Sequence, residues 1–408
     1  MQSLSVLDRR RLGITGNPSY DGVPFTDFSS VTPTTRLEDL NLNWRERDLP
    51  ERERTKHVHR LHPYLGKFVP QLVEIFLRKY QPRVVCDPFC GSGTTLVEAN
   101  ALGIASIGCD ISPFNCLLSK VKTDGYDVQL LEHEINNILT ELHNRSRHDL
   151  FSTGAEFADT YNEYLRSWYA PKARQELLVY RSLISSYRYQ DVLKVVLSRA
   201  ARSARLTTHF DLDFPKKPVT DPYYCHKHSR TCHPTEHALQ FLHRYSLDTL
   251  RRIREFSSLR TDAPLTVIHG DVRELDLPDF DMVITSPPYV GLIDYHEQHR
   301  YAYELLDIDG CRELEIGASW KGNSEKAVRL YMEEMANGFT NVIKSLAKGG
   351  VMVIVVHDRR DIYDTLAQKL GLRVEYRFRR HVNRRTGRRS GDFFEDVLVS
   401  RKPEVTHL

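Results

Sequence analysis

Apolar positions along this chain recur with two periods, one of a strand and one of a helix. In Phe68-Val69-Pro70-Gln71-Leu72-Val73-Glu74-Ile75-Phe76-Leu77 the residues Leu72, Ile75 and Phe76 fall at helical spacing, and Pro70 suits a first turn. Arg83–Asp87 predicts a strand, Thr94–Leu102 a helix, and Ala105–Asp110 a second strand ending in an acid. From about 121 to 262 the period turns helical, in Leu130–Leu142, Lys172–Ser185 and Thr235–Phe256. Strands resume at Leu265–Ile268 and Met282–Ile284, followed by an amphipathic helix around Val328–Leu346. Val351–Val356 is a continuous apolar run, as in a buried central strand. Two last strands, near Arg373–Arg379 and Phe393–Ser400, make the segment between them a hairpin tip. The alternation predicts a parallel α/β sheet, Rossmann-like in class, with a helical insertion at 121–262. Residues 1–50 spread Pro18, Gly22, Pro24, Pro33 and Pro50 among Ser and Thr with no sustained period, and predict an extended arm.

At 408 residues and 40% hydrophobic, the chain can bury a full core, as one domain with a large insertion or as two domains. No apolar run approaches the ~20 residues of a membrane span. Met1-Gln2-Ser3-Leu4-Ser5 opens neither a signal peptide nor a lipidation motif, so a soluble, cytoplasmic protein without a membrane partner is expected. Seven cysteines is an odd count, and Cys86, Cys90, Cys109 and Cys116 lie in or beside apolar segments, as reduced core thiols do. The formal net charge of +3 is small but unevenly spread. Between Tyr376 and Ser390 stand seven arginines and no acid, a run that contacts phosphate readily.

Two motifs carry the candidate chemistry. Asp87-Pro88-Phe89-Cys90-Gly91-Ser92-Gly93-Thr94-Thr95 leaves a strand and opens a helix, and its glycines allow a tight turn and close approach to a ligand. A nicotinamide fingerprint would need a third glycine where Leu96 stands, and the lysine of a phosphate loop is missing. What remains suits a ligand with a cationic, amino-acid-like end near a carboxylate, as in S-adenosylmethionine. Asp110 is placed to accept from both ribose hydroxyls, or else caps a helix. The second motif, Thr285-Ser286-Pro287-Pro288-Tyr289, follows a buried strand whose ladder its prolines cannot continue. The carbonyls of Ser286 and Pro287, with the Ser286 hydroxyl, can then bind the two hydrogens of an exocyclic amine. Tyr289 can stack on a base extruded from a duplex.

Together these residues resemble the site-specific DNA amino-methyltransferase family. That family carries an Asp-Pro-Phe-x-Gly-Ser-Gly-Thr-Thr turn, matched by residues 87 to 95 with Cys90 in the variable place. It also carries an upstream His-Pro-Tyr-x-x-Lys-Phe segment, matched by His62-Pro63-Tyr64-Leu65-Gly66-Lys67-Phe68. The resemblance implies that Asp87, Pro88, Phe89, Cys90, Gly91, Gly93, Thr94 and Asp110 bind S-adenosylmethionine, that Lys67 and Phe68 line its methionine part, and that Asp271 meets its adenine. It makes Ser286, Pro287, Pro288 and Tyr289 the catalytic residues. Members with Asp or Asn before Pro-Pro-Tyr mostly methylate adenine at N6, whereas Ser-Pro-Pro-Tyr is typical of cytosine-N4 enzymes. The expected reaction is therefore methyl transfer to cytosine N4 in double-stranded DNA, within restriction and modification. Adenine-N6 methylation, an RNA amino-methyltransferase and a non-catalytic nucleic-acid-binding module are the alternatives. Carbon-5 methylation needs a cysteine nucleophile, usually Pro-Cys, where this chain has Pro-Pro.

By the same resemblance, residues 51–120 and 263–408 form the catalytic domain, and the insertion at 121–262 between the motifs is the expected DNA-recognition region. The resemblance covers the sheet regions well and the insertion poorly. Arg199, Arg202 and Arg205 add positive charge there, while Arg379, Arg384, Arg385 and Arg388 make the Arg-rich hairpin its rival. Asp294, Tyr295, His296, Glu297, His299 and Arg300 follow the second motif closely, and either grip a flipped nucleotide or pair on a surface helix. Cys225-His226-Lys227-His228 with Cys232-His233 matches no common zinc spacing, and no metal is expected. A monomer is expected, with a cognate restriction endonuclease acting on the same site without stable contact.

Overall fold

The computed structural model describes residues 24–44, 48–66, 69–147, 162–209, 211–212, 215–358, 360–382 and 393–404. Among them the strands are β1 (Val84–Asp87), β2 (Ala105–Asp110), β3 (Tyr223–Cys225), β4 (Arg230–Cys232), β5 (Leu265–His269), β6 (Phe280–Thr285), β7 (Leu346–Val356), β8 (Arg373–Val382) and β9 (Phe393–Arg401). Seven form one sheet in the order β5-β2-β1-β6-β7-β9-β8, and β3 pairs with β4 in a separate hairpin. The pairs from β5 through β7 are parallel, and β9 lies antiparallel to both β7 and β8. From β1 the chain moves outward to β2 and β5, then returns to build β6 and β7 on the other side of β1. The strand order thus reverses between β1 and β6, where a crevice opens beyond the carboxyl ends of a parallel sheet.

The sheet is buried on both faces, and the two-residue alternation of β7 shows why its run is uniformly apolar. Val351, Val353 and Val355 pack with Val85, Met282, Ile284 and Val397 on one face. Met352, Ile354 and Val356 pack with Cys86, Val283 and Leu398 on the other. Among the described residues the α-helices longer than four residues are α1 (Pro70–Tyr80), α2 (Thr94–Ala101), α3 (Pro113–Thr123), α4 (Val128–Arg147), α5 (Glu163–Trp168), α6 (Pro171–Leu183), α7 (Gln190–Ala204), α8 (Leu239–Ser257), α9 (Tyr295–Leu306), α10 (Glu325–Ser345) and α11 (Ile362–Lys369). Helix α1 covers the first face through Leu72, Ile75 and Phe76, and α10 and α11 cover the second through Met335, Phe339 and Leu366. Pro70 stands at the start of α1, where its missing N–H is no loss.

The described part of the N-terminal segment, read as an extended arm, has two short 3₁₀ turns and docks on the first face through Val31, Leu40, Leu42, Trp44 and Leu49. Its apolar residues are too irregularly spaced to reveal that contact. The insertion is helical, as expected, but α3 belongs with the sheet and runs on to Thr123. Helices α4 to α8 share a single core with Val97 of α2, Phe114 and Leu118 of α3, and Tyr301 and Tyr303 of α9. They form a helical layer fused to the sheet unit. Among the described residues no helix is long and apolar enough to cross a membrane.

Candidate active site

Beyond β1 the chain turns through Gly91 at φ +49° and Gly93 at φ +77° before α2 begins at Thr94. Both positions favour glycine for its freedom at positive φ and for space. A Cβ on Gly91 would lie 2.8 Å from the Tyr64 hydroxyl, and one on Gly93 would lie 3.1 Å from the backbone of Ser119. The turn is closed from β2 by Asp110, which accepts from the Gly91 amide at 2.8 Å through one oxygen. Its other oxygen accepts from the Ser112 amide at 2.8 Å and from Asn115 Nδ2 at 3.0 Å. Burial raises the pKa of Asp110 despite these donors. Ser112, rather than Asp110, caps α3. Cys90 is buried beneath the turn, its amide held by the Cys109 carbonyl at 2.9 Å.

Asp87, only 1% exposed, points inward to join the two motifs. Thr95 Oγ1 donates to its Oδ2 and Thr285 Oγ1 to its Oδ1, each at 2.7 Å, and the Phe89 amide approaches Oδ1 at 3.3 Å. Burial pushes its carboxyl up to about 6, even though all three donors favour the charged form. The bond from Thr285 spans 198 residues of sequence and fixes where the second motif leaves β6.

Ser286 and Pro288 then line a cleft of about 630 Å³, mouth included, while Pro287 is buried. The Pro288 carbonyl accepts from the Tyr331 hydroxyl at 2.8 Å, and that hydroxyl lies 2.6 Å from Tyr363 Oη. Among the described residues no hydrogen bond reaches the carbonyls of Ser286 and Pro287. Tyr289 donates to Glu395 of β9 at 3.2 Å, and burial, with Glu395 beside it, holds its phenol well above the ordinary value.

Pro88, Phe89, Asp110 and Asn115 form one wall of this cleft, and Asp271 and Val272, which follow β5, form another. Asp271 is gripped by Arg273, whose Nε lies 2.8 and 3.0 Å from its two oxygens. Burial works to raise the pKa of Asp271, but Arg273 overrides it and holds the carboxyl below its ordinary value. Tyr64 and Tyr295 stack at 5.7 Å over the cleft, and Glu315 with Leu314 and Ile316 closes the far side. Burial, reinforced by Asp294, pushes the Glu315 carboxyl up to about 8. Glu315 Oε2 and Asn115 Oδ1 are buried without a hydrogen-bond partner among the described residues. Neither Glu315 nor Asn115 stands in a motif, so sequence reading missed both. The turn that Ser112 caps is the one signal that could have drawn attention to Asn115. Asp87, Cys90, Gly91, Gly93 and Thr94 shape the turn beneath the cleft without lining it. Lys67 and Phe68 lie outside the described residues.

A family profile described as DNA methylase matches residues 30–121, the stretch holding the Gly-rich turn. The type II methyltransferase M.MjaII of Methanocaldococcus jannaschii is 38% identical over 436 residues, covering 87% of this chain and 82% of that protein. The chain belongs to the DNA amino-methyltransferase family. Two further type II methyltransferases, M.MvaI of Kocuria varians and M.BsoBI of Geobacillus stearothermophilus, are 25% and 24% identical. Each match covers 64% of this chain, and 60% and 55% respectively of those proteins.

S-adenosylmethionine is the cofactor of this methyltransferase, and the cleft fits it. The acid at the end of β2 and the unpartnered Asn115 and Glu315 oxygens belong to residues that line the cleft and suit a ligand that carries hydroxyls, an amine and positive charge.

The arginines singled out in the methyltransferase sequence fall in different settings. Arg199 is 8% exposed, pairs with Asp248 at 2.7 Å and lies over the Tyr245 ring. Arg205 is 3% exposed, donates to the Leu212 carbonyl at 2.8 Å and lies over the Tyr301 ring. Both guanidiniums, expected to add positive charge for phosphate contact, are instead turned into the insertion. Arg202 is half-buried, and Arg379 is exposed on β8 over the Phe394 ring. Arg384, Arg385 and Arg388 lie outside the described residues, between the paired strands β8 and β9. Of the cluster after the second motif, Asp294 caps α9 and binds Arg312 at 2.8 Å, Arg300 pairs with Glu304, and His299 is buried against Tyr64.

Proposed function

We propose that this chain transfers a methyl group from S-adenosylmethionine to the exocyclic N4 amine of cytosine in double-stranded DNA, as the modification arm of a restriction system. The observation that carries the reading is the hydrogen bond from Thr285 to Asp87, because it ties the amine-binding motif to the Gly-rich turn beneath the cofactor cleft. Bound in the cleft, the cofactor supplies an electrophilic methyl on a sulfonium whose departure as a neutral thioether needs no acid. The Ser286 and Pro287 carbonyls, which accept no hydrogen bond among the described residues, accept the two amine hydrogens and aim the nitrogen lone pair into the cleft. Tyr331 holds the following carbonyl in place, so the Pro-Pro turn is rigid before substrate arrives. Tyr289, braced by Glu395, offers its ring to a base that has left the duplex. The insertion reads the target sequence, with Arg379 and the neighbouring Arg-rich segment on the phosphates. Ser286 supports cytosine over adenine by resemblance alone.

The test incubates the full chain with methyl-labelled cofactor and duplex DNA, with RNA in parallel, and analyses the nucleosides. N4-methylcytosine in DNA is expected. N6-methyladenine alone would replace cytosine by adenine, label in RNA alone would move the substrate, and no transfer despite cofactor binding would leave a binding module.

A further inference from the structure

The β3–β4 hairpin poses a stability problem. Its strands have three residues each, and a two-stranded ribbon of that length does not hold itself together in water. From Asp221 to Glu236 only Cys225 and Cys232 are buried, and neither joins any of the three hydrophobic clusters. The two cysteines are diagonal neighbours on one face, since Tyr223 pairs with Cys232 and Cys225 with Arg230. Two histidines converge on them. His228, in the turn, has Nδ1 3.7 Å from Cys225 Sγ and 3.4 Å from Cys232 Sγ. His209, far upstream, has Nδ1 3.5 Å from Cys225 Sγ.

The geometry points to a structural zinc(II) site formed by His209, Cys225, His228 and Cys232. A tetrahedral ion with bonds of about 2.3 Å to sulfur and about 2.05 Å to nitrogen sets sulfur–nitrogen edges of about 3.5 Å, and the three measured edges straddle that value. All four ligand atoms lie within 4.8 Å of one another, and four protein ligands leave no open position for chemistry. Two thiolates neutralise the ion, and the sulfur and imidazole set favours zinc over magnesium or calcium. A Cys225–Cys232 disulfide would leave the convergence of two imidazoles without a cause. Tyr223 Oη, 3.1 Å from His209 Nδ1, also accepts from the His209 amide at 3.2 Å and so keeps a partner when the imidazole lone pair goes to the metal. The sequence places His226, His228 and His233 beside the two cysteines, and the fold brings His228 and the upstream His209 to them.

The experiment measures metal by plasma mass spectrometry on the full chain, purified without chelator from zinc-supplemented cells. About one zinc per chain is expected. The Cys225→Ser and Cys232→Ser variants should each retain less than about a quarter of it, and Cys311→Ser, outside the cluster, should keep it all. Cobalt exchanged into the wild type should show tetrahedral d–d bands with thiolate charge transfer that the two serine variants lack. Cofactor binding in the cleft, which shares no residue with the cluster, reports whether each variant is folded. A wild-type chain that holds no zinc after zinc dialysis, zinc undiminished in a folded Cys232→Ser chain, or a Cys225–Cys232 disulfide in the purified protein would overturn the site. The wild-type stoichiometry decides even if a variant fails to fold.

Discussion

Thr285→Val removes one hydroxyl and keeps the shape of a fully buried side chain. It strips Asp87 Oδ1 of its 2.7 Å donor and leaves that oxygen with the Phe89 amide at 3.3 Å. The cost depends on the charge of Asp87. An unfolded Asp titrates near 3.8 and Asp87 in the folded chain near 6, so between those values the folded state binds the extra proton. Stability therefore falls as pH rises through that window, by about 3 kcal/mol in all. A lost hydrogen bond to an ionised group costs about 1.5–3 kcal/mol, and one to a neutral group about 0.5–1.5. Urea unfolding of the cofactor-free chain should accordingly find the variant destabilised by about 2 kcal/mol at about pH 8 and by about 1 kcal/mol at about pH 5. Thr95→Val, which removes the donor to Oδ2, should show the same asymmetry. Equal costs at the two pH values, or a larger cost at the lower one, would refute the claim that these hydroxyls hold a buried carboxylate charge.

Ser286→Ala should lower turnover at least about tenfold while the dissociation constant for the cofactor stays within about twofold, whereas Asp110→Asn should weaken cofactor binding at least about tenfold, as calorimetry and labelled-methyl transfer would report. Gly91→Ala, at φ +49° and 2.8 Å from Tyr64 Oη, should cost about 1–2 kcal/mol in urea unfolding, part of it restored by Tyr64→Phe. Glu315 titrates near 8 against an ordinary 4.5, so a cationic cofactor should draw a proton off it. Affinity should then rise with pH across that window, by at most about tenfold per pH unit, and calorimetry in two buffers should find less proton release for Glu315→Gln. Unchanged proton release in that variant would remove Glu315 from the cofactor's surroundings.

What could be read in the sequence was what depends on near neighbours. The apolar runs of β1, β2 and β5 to β9 and the turn between β1 and α2 declare themselves within a few residues. What escaped depends on partners far along the chain. Arg199 adds to the positive charge of the insertion as read from the sequence, but Asp248 and Tyr245 on α8 draw it inward. Glu315 comes to the cleft in a loop with no periodicity, and His209 joins cysteines that only the fold brings to it. Asp87 sat in the most recognisable motif of the chain, yet its two hydroxyl partners and its place beneath the cleft became visible only in three dimensions.

The shared core of the insertion also bears on how such a chain can diverge. Helix α9, which follows the Thr285–Tyr289 turn, gives Tyr301 and Tyr303 to the insertion's interior. Asn162 donates to Glu304 at 2.8 Å, Arg181 to the Leu305 carbonyl at 3.0 Å, and Arg205 covers the Tyr301 ring. An insertion transplanted from a relative would have to match Val97, Phe114 and Leu118 as well as both tyrosines, or leave them facing water. The insertion is therefore not a cassette that recombination can exchange whole. It must drift residue by residue, in step with the catalytic scaffold that carries it.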